Sequence, residues 1–268
     1  MAAVPAPAAA RRAPAPRRPA TESTLRHAGD VAGDIAPSLV YSAEQHDVWA
    51  TLYARRMTML AGTGGAKVLR GIEAIGLRPD RVPDLSEVNA RLARRTGWAA
   101  VPVGGFLPPR PFFHSLAQRR FPTTTTVRPR EQLDYLPEPD IFHDVVGHVP
   151  LHADSTFAAS LQRFGVLGLL AGTDEQVEQV ARLFWFTVEF GLVRESGAVK
   201  IYGSGLVSSH ADAANALGPV CDRRPFDLDA VLAQAFAIDR LQDVLFVLDS
   251  FDQLWQAVGE MEARLRPA

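Results

Sequence analysis

The stretch Pro137-Glu138-Pro139-Asp140-Ile141-Phe142-His143-Asp144-Val145-Val146-Gly147-His148-Val149-Pro150 decides how this chain is read. It carries two of the seven histidines, five residues apart. On an ideal α-helix two such side chains point about 140° apart and cannot meet at one ion. His143 is therefore expected where a helix begins or bends. Two prolines before it, Gly147 within the segment and Pro150 at its end supply the means. The gap is one residue longer than that of zinc proteases, and Asp144 follows His143 where they have glutamate.

A third partner is expected downstream. Glu189 lies inside the apolar run Phe184-Trp185-Phe186-Thr187-Val188-Glu189-Phe190-Gly191-Leu192. The nearest cationic side chain ahead of it, Arg194, is too far along a helix to pair well. A buried carboxylate without a partner is expensive, which makes a metal ion its natural partner. Two imidazoles and one carboxylate with open positions form the ligand set of non-heme Fe(II) oxygenases. Asp140 and Asp144 lie close enough in sequence to hold an imidazole N–H or a bound water. Asp140 equally suits a helix N-cap. Trp185, four residues before Glu189, shares its helix face and either lines the site or packs in the core; periodicity favours the core.

Composition narrows the classes. With 268 residues, 47% of them hydrophobic, the chain can bury one sizeable core. A formal net charge of −2 gives no electrostatic reason for a nucleic acid or membrane partner. The single cysteine, Cys221, excludes an internal disulfide and fits the reducing cytoplasm. No apolar run approaches the ~18 residues of a membrane span. The opening MAAVPAPAAARRAPAPRRPA is rich in Pro, Ala and Arg and lacks an apolar signal core, so residues 1–30 are expected as a disordered tail before a single domain over 31–268. Coiled-coil heptads are lacking, and a monomer is expected.

The remaining pattern is mainly α with a few short β-strands. Helices are expected from Ser42 to the glycines at 62, 64 and 65, over Ala66–Ile75, from Pro83 to Gly97 and over Phe112–Ala117. Further helices are expected over Thr156–Leu170, Asp174–Arg194, Leu206–Leu217, Asp227–Phe236 and Phe251–Leu265. Trp98–Pro111 reads as a loop, and Phe121–Arg128, Val199–Tyr202 and Leu245–Leu248 read as strands.

Three segments together carry a resemblance. PEPDIFHDVVGHVP, FWFTVEFGL and Tyr202-Gly-Ser-Gly-Leu-Val-Ser-Ser209 are similar to the pterin-dependent aromatic amino acid hydroxylases, with the short bacterial phenylalanine 4-hydroxylases nearest. The likeness runs roughly from Ser42 to Phe251 and leaves no room for the N-terminal regulatory domain of the animal enzymes. It implies that family's α+β catalytic-domain fold, with His143, His148 and Glu189 as iron ligands. It further implies that Arg128 grips the carboxylate of an amino acid substrate, with Ser208 and Trp185 as further contacts. Gly105, Leu107, Phe112, Asp144 and Phe184 are implied to meet a tetrahydropterin; without the resemblance, Val103–Leu107 is merely a connector. Phe184 stands where relatives commonly have tyrosine, Leu136 where the animal enzymes have threonine, and Asp144 replaces a glutamate. The implied activity is hydroxylation of L-phenylalanine to L-tyrosine with Fe(II), O2 and a tetrahydropterin, in phenylalanine catabolism. The alternatives are the same chemistry on tryptophan or another aromatic amino acid, and a non-catalytic metal-binding protein.

Overall fold

Ser42 sets the first helix, α1 (Ala43–Thr63), through a reciprocal cap. Its hydroxyl accepts the Gln45 N–H and the Gln45 side chain accepts the Ser42 N–H, at 3.2 and 2.8 Å, satisfying two donors that a helix start leaves bare. Val48, Trp49, Leu52, Arg56 and Leu60 follow at helical spacing and form its buried face. The computed structural model describes residues 39–105, 107–134 and 139–266. The expected tail, Phe106, Leu136 and the Pro137-Glu138 pair lie outside them.

Beyond α1 come α2 (Ala66–Ala74), α3 (Leu85–Arg95), β1 (Ala99–Val103), α4 (Pro109–Ala117) and β2 (Arg120–Thr124). The second half holds α5 (Ser155–Leu170), α6 (Asp174–Phe184), β3 (Leu192–Glu195), β4 (Ala198–Ile201), α7 (Ser204–Ser208) and α8 (His210–Leu217). It closes with β5 (Asp222–Pro225), α9 (Leu228–Ala233), β6 (Val244–Leu248) and α10 (Phe251–Leu265). The mainly helical α+β class stands. Two sheets form: β1 beside β2 in parallel, and four strands ordered β4-β3-β6-β5.

Four expectations about elements are corrected. The stretch read as a loop from Trp98 contains β1, because Asn89 of α3 clamps the backbone of Ala100 on both its N–H and its carbonyl, at 2.7 and 2.9 Å. The strand read over Phe121–Arg128 ends at Thr124. The helix read through Arg194 ends its α winding at Phe184, and its tail becomes β3, in a hairpin with β4. The helix read over Leu206–Leu217 is two helices, since the Ser209 backbone is extended and its side chain caps α8 on the Asp212 N–H at 3.3 Å.

The core lies between α5 and its neighbours α4 and α10, and continues to the His143–His148 segment. Behind that segment α2 packs backbone to backbone on the 3-10 turn Val149–Ala153. A Cβ on Gly71 would lie 2.2 Å from the Pro150 carbonyl oxygen. An ordinary helical Gly→Ala change stabilises by about 1 kcal/mol. Here it forces apart elements with no room to yield, an overpacking cost of about 1–3 kcal/mol. Gly71→Ala should therefore lower the urea midpoint, and a raised midpoint would show that the contact is not tight.

Candidate active site

Both expected histidines reach one place because the backbone between them is not α-helical. His143–His148 is wound as a π-helix, with the Val149 N–H closing onto the Asp144 carbonyl five residues back. This wider winding brings positions five apart to a common side, so the expected start or bend at His143 is replaced by a change of pitch. Trp185–Glu189 is wound the same way, the Phe190 N–H donating to the Trp185 carbonyl at 2.8 Å. Glu189 thereby leaves the track of α6 and turns toward the imidazoles. Gly147 permits the final approach: a Cβ there would sit 2.7 Å from the Ser204 carbonyl oxygen.

The three side chains converge. Glu189 Oε2 lies 3.1 Å from His148 Nε2, and Oε1 lies 3.5 Å from His143 Nε2. One ligand atom from each residue falls within 4.8 Å of the others. Burial pushes the Glu189 carboxyl up, but the two imidazoles and the hydrogen bonds from His148 and Ser204 outweigh it, leaving the pKa at about 2. The carboxylate stays ionised at any physiological pH and calls for positive charge beside it.

Two serines of α7 orient this set. Ser204 Oγ donates to Glu189 Oε2 at 2.8 Å. Ser208 Oγ donates to the Ser204 carbonyl at 2.9 Å and lies 2.9 Å from His143 Nδ1. A hydroxyl has one proton to give, so Ser208 accepts the Nδ1–H of His143. That places the lone pair on Nε2, the atom facing Glu189.

The other expected residues lie around this centre in arrangements of their own. Arg128 meets Asp140 through paired hydrogen bonds, Nε to Oδ2 at 2.8 Å and Nη2 to Oδ1 at 2.9 Å. Asp140 also accepts the His143 N–H at 3.0 Å, so it caps the π-wound segment, and among the described residues its carboxylate reaches no imidazole. Burial raises the Asp140 carboxyl, but Arg128 and two backbone N–H groups more than reverse this and hold it below the usual range. Asp144 accepts both the N–H and the hydroxyl of Thr124, at 2.6 and 2.7 Å. Thr124 pairs in register with Val103, so Asp144 sits where the Gly104-Gly105 loop leaves β1. Gly105 has a φ of +152°, a conformation L side chains rarely adopt. Leu107, just beyond, is half-buried. Phe112 and Phe184 meet edge to face at 5.5 Å, and Phe184 stacks 6.4 Å from His148. Trp185 is stacked on Phe236 at 4.4 Å, tilted against Phe190 at 4.7 Å, and its Nε1 donates to Gln242 at 3.2 Å.

Comparison with known proteins agrees with this geometry. The model of the biopterin-dependent aromatic amino acid hydroxylase family matches residues 18–266. The chain belongs to that family. The curated phenylalanine-4-hydroxylase of Chromobacterium violaceum is 43% identical over 220 residues, covering 82% of this chain and 74% of that protein. Its counterpart in Caulobacter vibrioides is 44% identical over 215 residues, covering 80% and 73%. A crystal structure of the C. violaceum enzyme with iron(III) and 7,8-dihydrobiopterin superposes with a TM-score of 0.80 at 42% identity, covering 84% of this chain and 83% of that one.

Membership makes iron and a pterin this enzyme's cofactors, and the residues present fit the metal. Ligand atoms held at about 2.1 Å and at right angles stand about 3.0 Å apart, close to the two nitrogen–oxygen separations found. The set is mixed nitrogen and oxygen, one ionised carboxylate with two imidazoles, as ferrous iron takes. A separate cleft of about 490 Å³, bordered by Tyr41, His46 and Arg78, contains none of the candidate residues.

Sequence reasoning missed Ser204, Thr124 and His152. The two hydroxyls gave no signal, since their partners lie 15 and 20 residues away in the chain. His152 was visible as four residues after His148. It is fully buried, flanked by Trp98 at 4.7 Å and Phe121 at 5.0 Å, and neither ring nitrogen has a partner among the described residues. Phe121 also touches His148, at 4.6 Å. Burial, with His148 pushing the same way, drives the His152 pKa well below the ordinary imidazole range.

The folded chain thus binds fewer protons at His152 than the unfolded chain. Its stability is full above the unfolded pKa of about 6.5 and falls as pH drops below it, by no more than about 2 kcal/mol at pH 5. Replacing His152 with Phe should shrink the stability difference between pH 7 and pH 5 by that order. Denaturant melts at the two pH values check this, and an unchanged difference contradicts it.

Proposed function

We propose that this enzyme hydroxylates the ring of free L-phenylalanine to give L-tyrosine, using O2. The observation that carries this is the convergence of His143, His148 and Glu189 on one point, in a chain more than 40% identical to curated phenylalanine-4-hydroxylases over four-fifths of its length. His143 Nε2, His148 Nε2 and a Glu189 oxygen would hold the iron. Bound together, iron and tetrahydropterin supply the O2 activation that attack on an unactivated ring requires.

The chain's own contribution is positioning. Asp140 fixes the plane of the Arg128 guanidinium and, among the described residues, leaves Nη1 with only the Leu133 carbonyl, 3.5 Å away, so that nitrogen can donate to a substrate carboxylate. Trp185, held by Phe236, Phe190 and Gln242, acts as a rigid wall for the substrate ring. The Ser208 hydroxyl donates to the Ser204 carbonyl and accepts from His143, so toward a substrate ammonium it offers only a remaining lone pair. Gly105 lets backbone groups approach the edge of a pterin, Leu107 packs beside it, and Phe112 and Phe184 offer flat apolar walls. Asp144 ties this wall to the metal segment through Thr124. Phe184 brings no hydroxyl to the site, so whatever proton a tyrosine would handle there must move by another route.

The proposal extends to a monomer in the cytoplasm acting in phenylalanine catabolism, with residues 1–30 as a tail outside one catalytic domain. Among the described residues no helix is long and apolar enough to cross a membrane. Sedimentation of the whole chain tests the monomer.

Anaerobic loading with Fe(II), followed by L-phenylalanine, a tetrahydropterin and O2, should yield L-tyrosine on chromatography. Glu189→Gln should lose at least about 100-fold of that rate together with iron retention, beyond the 10–100-fold cost of disturbing an outer partner. Full activity in that variant would defeat the assignment, and turnover of tryptophan alone would move the substrate. Arg128→Lys keeps a charge but loses the planar fork. It should raise KM for L-phenylalanine about tenfold at unchanged iron content, the discrimination of one charge-assisted contact; an unchanged KM argues against a carboxylate grip.

A further inference from the structure

Arg56 occupies a core position. It follows Leu52 and precedes Leu60 by four residues each on the buried face of α1, and it is 2% exposed. Among the described residues no carboxylate forms an ion pair with it. A buried guanidinium without such a pair is costly to keep, so its actual partners are informative. Nε donates to the Val207 carbonyl and Nη2 to the Leu206 carbonyl, both at 2.8 Å, while Nη1 lies 3.1 Å from the Met59 sulfur.

Both carbonyls belong to α7, a helix of five residues. A single turn fixes several residues for very few hydrogen bonds and does not sustain itself. Its last carbonyls also lack donors from within the helix. The Gly205 carbonyl receives the Ser209 N–H and the Ser204 carbonyl receives the Ser208 hydroxyl, both at 2.9 Å. Leu206 and Val207 carry two of the remaining carbonyls, both residues are buried, and Arg56 supplies a donor to each. The same turn presents Ser204 to Glu189 and Ser208 to His143.

We propose that Arg56 is a positioning residue of the metal site: from α1, some 150 residues away in sequence, it closes the end of α7 and so holds in place the two hydroxyls that aim His143 and Glu189. This rests on His143, His148 and Glu189 being the iron ligands. Arg56 touches none of them and acts only through Ser204 and Ser208. A purely structural arginine would affect stability and leave the metal's surroundings alone.

The test uses the full metal-free chain titrated anaerobically with Co(II), read by the visible bands of the bound ion. Arg56→Met, which removes the donors, should weaken Co(II) binding about tenfold and change the band shape, at the lower end of what lost ligand orientation costs. Arg56→Lys should restore part of the affinity. In a chain already carrying Ser204→Ala and Ser208→Ala, Arg56→Met should add little, since its effect passes through those hydroxyls. Wild-type affinity and spectrum in Arg56→Met overturn the proposal, as does a loss that persists undiminished without the serines. Should Arg56→Met not fold, Arg56→Lys decides: weaker binding with altered bands supports the proposal, and wild-type behaviour overturns it. If the unaltered chain bound no Co(II), the ligand assignment itself would fall and Arg56 with it.

Discussion

A carboxylate held between two imidazoles is the constraint from which the rest of this structure follows. Glu189 is ionised and nearly enclosed, and such a charge is tolerable only beside compensating cations or donors. Bringing it there bends the chain away from regular structure at two places, His143–His148 and Trp185–Glu189. π-winding sacrifices good hydrogen-bond geometry, and the surrounding contacts hold it. Asp140 caps one π-segment, Gly147 lets α7 approach it, and α7 returns a hydroxyl to each of two ligands.

The polar framework around that centre is layered. Arg128 and Asp140 form an enclosed bidentate pair, their side chains 9% and 2% exposed, far from the weak regime of surface ion pairs. Asp144 joins the π-wound segment to the strand pair that launches the glycine loop. Aromatic rings fill the gaps, with Phe121 touching His148 on one side and His152 on the other. His152 is the discordant member, a polar ring in an apolar slot. Together with His148 Nδ1 it accounts for three of the four buried side-chain polar atoms without a partner among the described residues. Natural chains carry a few such groups, and they cluster near working sites.

Much of this was legible in the sequence. The chemical types of His143, His148 and Glu189 pointed to iron, and apolar periodicity pointed to most of the helices. What escaped reading was set by contacts distant in sequence. β1 looked like a loop because its Pro102 and two following glycines are poor strand formers, while Asn89 of α3 holds it extended. The run from Phe184 to Arg194 has continuous apolar periodicity, and nothing local announces that it changes pitch at Trp185 and becomes a strand at Leu192. Asp140 and Ser208 were noticed for the right neighbourhood, but their partners, Arg128 with a backbone N–H in one case and His143 Nδ1 in the other, depend on packing. Arg56 lies on the buried face of α1, and only the placement of α7 shows what it holds.

The most direct measurement of the central claim is anomalous diffraction at the iron edge from crystals of the Fe(II)-loaded enzyme. The account predicts one strong peak bonded to His143 Nε2, His148 Nε2 and a Glu189 oxygen. A peak elsewhere, or none at full iron occupancy in solution, would contradict it.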